Sequence, residues 1–249
     1  FTMDDRYSNA VLEAFVRLHK KGLVYRGYRL VNWCPASQSA ISDEEVNHRE
    51  VQGSLWTIKY SLKDKSGTIE VATTRPETML GDTAVAVHPQ DDRYRKYIGQ
   101  KIELPLTGRI IPIVGDKFVD PDFGTGCVKV TPAHDPNDFE IGKRHDLDFI
   151  NIMNPDASLN DNVPEQFKGL TREDARKQVI EKLKTCKLIT NEKSYTHSVG
   201  FSERGGVPIE YYLSEQWYLK MKALAEPAIK AVKDGDIKFH PPHWVKTYD

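Results

Sequence analysis

The chain has little that would let it cross or coat anything. No stretch approaches the roughly 20 apolar residues of a membrane-spanning helix. No basic segment followed by an apolar one opens the sequence as a secretory leader would. Charge of one sign is missing too: 35 Lys and Arg face 36 Asp and Glu, a formal net charge of −1. That argues against a general coat for polyanions and leaves room for a local basic groove. Cysteine is scarce. Cys34, Cys127 and Cys186 lie far apart, with no Cys-x-x-Cys pair, which argues against a disulfide framework or a structural zinc site. Reduced thiols predict an intracellular, cytoplasmic protein, and each cysteine reads as a small buried hydrophobe. Several catalytic signatures are absent: the Gly-x-Ser-x-Gly elbow, the Gly-x-x-x-x-Gly-Lys phosphate loop and the His-Glu-x-x-His zinc helix. No metal site is expected.

What remains is ordinary globular text. Hydrophobic residues make up 39% of 249 positions, enough for a sizeable core without staples. Both ends read like the middle of a protein, so the chain is expected to be a piece of something longer. The first 22 residues predict a helix, capped by Asp4 or Asp5 and ended by Gly22, with Val11, Leu12, Phe15, Val16 and Leu18 as its apolar stripe. Short strands are expected over 23–26 and 29–33, then an acidic segment over 41–46. From about Ser54 the text turns to strands and tight turns. Strands are predicted over 55–60, 69–74, 84–87, 110–114, 127–131 and 149–153, with a hairpin-like turn at 65–67. Helices are predicted over 135–145 and 171–188, the second capped by Thr171 with Asp174 at its third position. A third piece begins at Gly200, with a strand over 207–212 and a helix over 214–233. The layout is a mixed α/β central body with flanks that meet, because an inserted domain leaves and returns near one point.

Two segments carry the polar density of a site. The first is the run from Thr73 to Asp82, in which Thr73, Thr74, Arg75, Glu77 and Thr78 follow an apolar strand and Pro76 forces Arg75 out of helical geometry. A capped turn satisfied by threonine hydroxyls explains it equally well. In the second, Gly124 and Gly126 permit close backbone approach. A short strand then places Lys129 and Thr131 on one face. The run His134-Asp135-Pro136-Asn137-Asp138 opens a helix, and Asp135 and Asp138 share one side of its first turn. A bland capping role needs one aspartate, not two beside a lysine and a histidine. His134 alone reads as a structural histidine. Tyr25-Arg26, Tyr28-Arg29 and Arg93-Tyr94-Arg95 put aromatics next to cations, a pattern that meets nucleic acid or simply faces solvent.

Together these segments resemble the valyl-tRNA synthetase family. The residues that carry the likeness are the runs 30–35, 40–46, 73–89 and 124–145, with the flanks 7–27 and 215–218, so it covers essentially the whole chain. The threonine-rich run and Thr131-Pro132-Ala133-His134-Asp135-x-x-Asp138 are shared with the isoleucyl and leucyl enzymes. Ala40-Ile41-Ser42-Asp43 and the run 81–89 look like the valyl branch. Cys34 departs from many members, but it lies in a flank.

The resemblance implies an editing domain of β-barrel-like, mixed α/β fold over 53–199. Residues 1–52 and 200–249 would be junctions to a class I catalytic core. It implies hydrolysis of threonine wrongly esterified to tRNA(Val). The partners would be the threonine-carrying acceptor end of tRNA(Val) and the parent's catalytic core, in a monomer. The parent's His-x-Gly-His and Lys-Met-Ser-Lys-Ser signatures are absent. ATP and Mg would therefore belong to the parent, and the editing domain would need no cofactor. Asp138 matches the family's anchor for the substrate ammonium. Asp135 is the first choice for reading the threonine hydroxyl, with Lys129 and Thr131 second; Lys129 could also hold Asp135 ionised. Thr73, Thr74, Arg75 and Thr78 would line the other wall, with Thr78 as a steric gate. His134 and Gly126 complete the expected substrate contacts. Two alternatives stay open: a tRNA-end binding module inactive alone, and isoleucyl- or leucyl-type editing.

Overall fold

The computed structural model describes residues 2–248. Phe1 and Asp249, the outermost residues of the expected N-terminal helix and C-terminal segment, lie outside the described residues. The chain divides into two compact units: one joins the segment up to Arg29 to the segment from Ser214 onward, and the other is Leu30–Leu213.

The first unit opens with α1 (Asp5–Lys20), where the Asp4 side chain accepts from the Arg6 amide at 2.9 Å. Gly22 follows at φ +68°, the left-handed geometry that ends a helix. Strand β1 (Val24–Cys34) then runs without a break where two short strands were expected. It crosses into the second unit and pairs with β2 (Ser39–Ala40).

The second unit is built on β3 (Val46–Leu62) and β4 (Thr68–Thr73), an antiparallel pair with Ile58 opposite Val71 and Tyr60 opposite Ile69. The alternation turns Ile58, Tyr60, Leu62, Ile69 and Val71 inward, each almost fully buried. Next come β5 (Ala84–Val87), β6 (Lys101–Glu103), β7 (Ile110–Gly115) and β8 (Cys127–Val130). The sheet order is β4-β3-β6-β7-β5-β8; β5 and β7 are parallel and the other pairs antiparallel. β4 and β8 approach each other, and the Thr125 hydroxyl bridges to the Glu70 carbonyl at 2.7 Å. No ladder joins them among the described residues, so the mixed α/β body forms as expected but is not a closed barrel.

Helix α2 (Pro136–Arg144) follows β8. The expected strand over 149–153 is irregular chain instead, with a single bridge from Met153 to Leu159. Its carbonyls are taken up by side chains: the Asn160 and Asn162 amides both donate to the Asn151 carbonyl. Helix α3 (Arg172–Thr185) is capped as predicted, the Thr171 hydroxyl accepting from the Asp174 amide at 3.1 Å. Ala175, Val179 and Leu183 are its buried stripe, and Phe167 before it is fully buried. Burying one such aliphatic or aromatic side chain contributes about 1.5–3 kcal/mol. Strand β9 (Ile189–Ser202) then pairs antiparallel with β3 from Ser202 opposite Val46 to Lys193 opposite Leu55 and beyond.

Strand β10 (Glu210–Leu219) joins β1 in a sheet of order β10-β1-β2 and returns the chain to the first unit. The expected helix over 214–233 therefore starts late, as α4 (Met221–Lys233), because 214–219 continue the strand. A short helix α5 (Val245–Tyr248) ends the described chain. Cys34 and Cys127 are buried as expected, but Cys186 is exposed at the end of α3.

Candidate active site

Two elements converge on one cavity of about 430 Å³. The first wall is the end of β4 and the 3-10 turn Pro76–Gly81. The Thr73 hydroxyl accepts from the Arg75 amide at 3.0 Å, and the Thr78 hydroxyl donates to the Arg75 carbonyl at 3.0 Å. Proline at the head of the turn costs no hydrogen bond there. Behind it lies a chain of buried charge. Glu77, fully buried, accepts from Arg75 at 3.3 Å and from Arg176 at 2.7 and 2.8 Å. Glu210 accepts from Arg75 at 2.5 Å and from Arg172 at 2.6 Å. Burial alone would raise the Glu77 carboxyl, but the two guanidinium groups hold it below its ordinary value. Arg75 is thus fixed by two carboxylates from its other side.

The second wall is the junction of β8 and α2. Asp135 caps the helix, its Oδ1 accepting from the Asn137 and Asp138 amides at 2.8 and 3.1 Å. Asp138, one turn on, accepts from the Thr131 amide at 2.9 Å through Oδ2. The pair of aspartates therefore does two things. One closes the helix start, and the other ties the strand end to the helix. Burial, and the nearby Asp135 charge, push the Asp138 carboxyl up to about 7.

Between the walls sits a compact polar cluster. The Lys129 ammonium donates to the Thr131 hydroxyl at 2.6 Å, to the Thr78 hydroxyl at 2.9 Å and to Asp82 Oδ1 at 3.4 Å. Asp82 is fully buried; its Oδ1 also accepts from the Thr131 hydroxyl at 2.6 Å and its Oδ2 from the Tyr60 hydroxyl at 2.7 Å. Burial raises the Asp82 carboxyl, opposed by Lys129 and the two hydroxyls. The expectation that Lys129 steadies Asp135 is not met, because its ammonium turns inward to Asp82.

Thr73, Thr74, Arg75, Thr78, Lys129, Thr131, His134, Asp135 and Asp138 all line the cavity. Gly126 does not. It sits at φ +78° in the turn before β8, where a Cβ would fall 2.9 Å from the Pro121 carbonyl oxygen. Its expected approach to a substrate is replaced by an approach to its own loop. His134 lines the wall with one ring nitrogen engaged locally: Nε2 accepts from the Ile152 amide at 3.0 Å. Burial, with Arg75 and Lys129 nearby, pushes its imidazole down to about 3, so it is neutral. Sequence reasoning missed Phe118, Phe123, Tyr195 and His197, which also line the cavity. Phe118 and Phe123 are more than half exposed. Asp82 and Tyr60 were missed as supports.

The sequence of this chain matches a known protein family over its whole length. Residues 1–249 match the family described as tRNA synthetases class I (I, L, M and V), and the chain belongs to it. Within that family it is similar to valine–tRNA ligases. It is 59% identical over 249 residues to the valine–tRNA ligase of Thermosynechococcus vestitus, covering all of this chain and 27% of that protein. The valine–tRNA ligases of Prochlorococcus marinus and Bacillus licheniformis are 56% and 54% identical, again over the whole chain and over 27% and 28% of their own lengths. The chain thus spans little more than a quarter of these relatives. A solved LeuRS–tRNA–LeuAMS complex from Agrobacterium radiobacter K84 is a distant likeness, with a TM-score of 0.43 at 20% identity over 87% of this chain and 34% of that one.

Proposed function

We propose that this chain is the post-transfer editing part of a valine–tRNA ligase, an aminoacyl-tRNA deacylase. It hydrolyses the ester between threonine and tRNA(Val). The observation that carries the reading is Asp138: a carboxylate buried in a cavity wall beside threonine hydroxyls, with whole-chain likeness to valine–tRNA ligases behind it. Threonine and valine are nearly isosteric, and an apolar pocket rejects an added hydroxyl by only about 10²-fold. A second site must therefore accept the hydroxyl and refuse the methyl. A cavity lined by fixed polar groups does so, because each acceptor left unpaired by valine costs about 1–3 kcal/mol.

In this reading Asp138 holds the substrate ammonium through a charge-assisted hydrogen bond. Thr131 and Asp135 face the side chain. Thr73, Thr74 and Arg75 meet the terminal ribose and the ester. Phe118 and Phe123 offer exposed rings on which a terminal base can stack. The ester is already activated, so a positioned water and preorganised dipoles supply the acceleration. His134 is not the base: its free electron pair is engaged by the Ile152 amide. The partners are the acceptor end of tRNA(Val) carrying threonine and the catalytic core of the parent, which works as a cytoplasmic monomer. ATP and Mg serve that core, and the editing step needs no cofactor.

The test is deacylation of threonyl-tRNA(Val) beside valyl-tRNA(Val) and an Asp138→Ala variant. Release of threonine alone, lost in the variant, is the expected result. Release of valine at a matching rate would sink the specificity, and release undiminished in the variant would sink the assigned anchor.

A further inference from the structure

We propose that Asp82, which does not reach the cavity, fixes the hydrogen-bond polarity of the inner wall, so that the site selects a side chain that donates a hydrogen bond. The proposal rests on the editing reading and deepens it by naming what the site reads.

The argument is a count of protons. A lysine ammonium has three donors and no acceptor, and a threonine hydroxyl has one donor and two lone pairs. The three donors of Lys129 face Thr78, Thr131 and Asp82. None is left for a ligand. The one proton of Thr131 goes to Asp82 Oδ1, because Lys129 can only donate to that hydroxyl. The one proton of Thr78 goes to the Arg75 carbonyl, and its hydroxyl too accepts from Lys129. Each hydroxyl therefore keeps a single lone pair and no proton for the cavity. Asp135 as a carboxylate also only accepts, and so does Asp138 above the pH of about 7 at which it ionises. The wall formed by these four residues has acceptors and no donors.

Asp82 is what imposes this. Tyr60 donates to its Oδ2, which leaves Oδ1 to receive both Thr131 and Lys129. A neutral amide at position 82 would keep its oxygen toward Tyr60 and turn its NH₂ toward Thr131. The Thr131 hydroxyl would then accept from it, and its own proton would swing toward the cavity. Asp82 is a positioning residue: it touches no substrate, yet it decides which way the hydroxyl that does so points.

The consequence separates groups of similar size. A hydroxyl donates and accepts, a fluorine or a methoxy oxygen only accepts, and a methyl does neither. Lys129, by its charge, would suggest a site that welcomes acceptors. The proton count says the reverse.

The probes are four 3′-aminoacylamino-3′-deoxyadenosines, whose amide resists hydrolysis. They carry threonine, valine, 2-amino-3-fluorobutyrate and O-methylthreonine. Binding to the wild-type chain is measured by calorimetry, beside release from the corresponding tRNA(Val) esters. Threonine is expected to bind about tenfold or more tightly than the other three, the loss for one unpaired acceptor. A fluoro analogue bound within about twofold of threonine overturns the proposal. If the binding order holds but no ester is cleaved, the polarity stands and the deacylase reading falls. If none of the four binds, both fall.

In Asp82→Asn, with folding checked by its melting curve, the threonine-to-fluoro ratio is expected to drop by about tenfold. A merely structural lesion lowers both affinities and keeps the ratio, and an unchanged ratio in the folded variant removes Asp82 from the account. Tyr60→Phe leaves the carboxylate on Thr131 and is expected to keep the wild-type ratio; a ratio that collapses there as well would count against Asp82 as its source.

Discussion

At the scale of single residues, Asp138 is expected to set the pH dependence of the proposed deacylation. Its carboxyl titrates at about 7, raised by burial and by Asp135. Only the ionised form can hold an ammonium, and it is the minor form below that pH. Deacylation at low substrate is therefore expected to rise about tenfold per pH unit on the acid side and to level off above about 7, since kcat/KM reports the free protein. Asp138→Asn should lower kcat/KM by about 10–100-fold, the range for a hydrogen bond to a charged group, and flatten the profile. A step that persists in the variant would assign the titration elsewhere. His134, pushed down to about 3, adds no step in the physiological range. The sequence shows Asp138 and Thr131 as a dense loop between a strand and a helix. It places Asp82 at the end of the polar run 73–82 but hides its role, because its partners Tyr60, Lys129 and Thr131 lie 22, 47 and 49 positions away. Local spacing has no way to report a contact of that range.

At the scale of elements, two joints carry the walls of the cavity. One is the Glu77 joint, which ties the 3-10 turn to α3 through Arg176. Removing its charge leaves two guanidinium groups facing a neutral amide. Glu77→Gln is expected to cost about 3 kcal/mol, the lower end for a broken buried pair, because both arginines keep some access to water. A chain of this size should then melt roughly 6–12 °C lower; an unchanged melting curve would show the joint to be idle. The other is the α3 cap. Thr171→Ala should cost about 1 kcal/mol, read as a shift in the denaturant midpoint with an unchanged slope. This cap is legible in sequence because Thr171 and Asp174 are close neighbours. Strand β9 is not. Its residues Asn191, Glu192, Lys193 and Ser194 are all polar and exposed, and only from Tyr195 on do half-buried and exposed side chains alternate. The late start of α4 has a different origin: Trp217 and Tyr218 favour a strand, and the sheet partner β1 decides in its favour.

At the scale of the whole molecule, the two units differ in what they bury. Leu30–Leu213 contains the main core, including Ile58, Leu62, Ile69 and Phe167. In the other unit, α1 has no buried residue, and Val11, Leu12, Phe15 and Val16 stay exposed. Opening free energy follows local burial. Amides of α1 and α4 are expected to exchange with solvent much faster than those of β3, β4 and β5. Equal protection across both units would refute that ordering. Near-neutral charge bears on the same scale. A protein gains affinity for nucleic acid mainly by neutralising phosphates, and a net charge of −1 leaves that task to local patches.

The ribbon of β3 and β9 also has a mechanical consequence. Val46 and Ser202 sit opposite each other on one rung, so two points far apart in the chain lie about 5 Å from each other. The body between them is held away from that rung as well: Glu210 pairs with Arg75 and Arg172, and the Trp33 indole donates to the Pro155 carbonyl at 2.7 Å. The cavity-bearing body is bolted at its sides as well as at its stem.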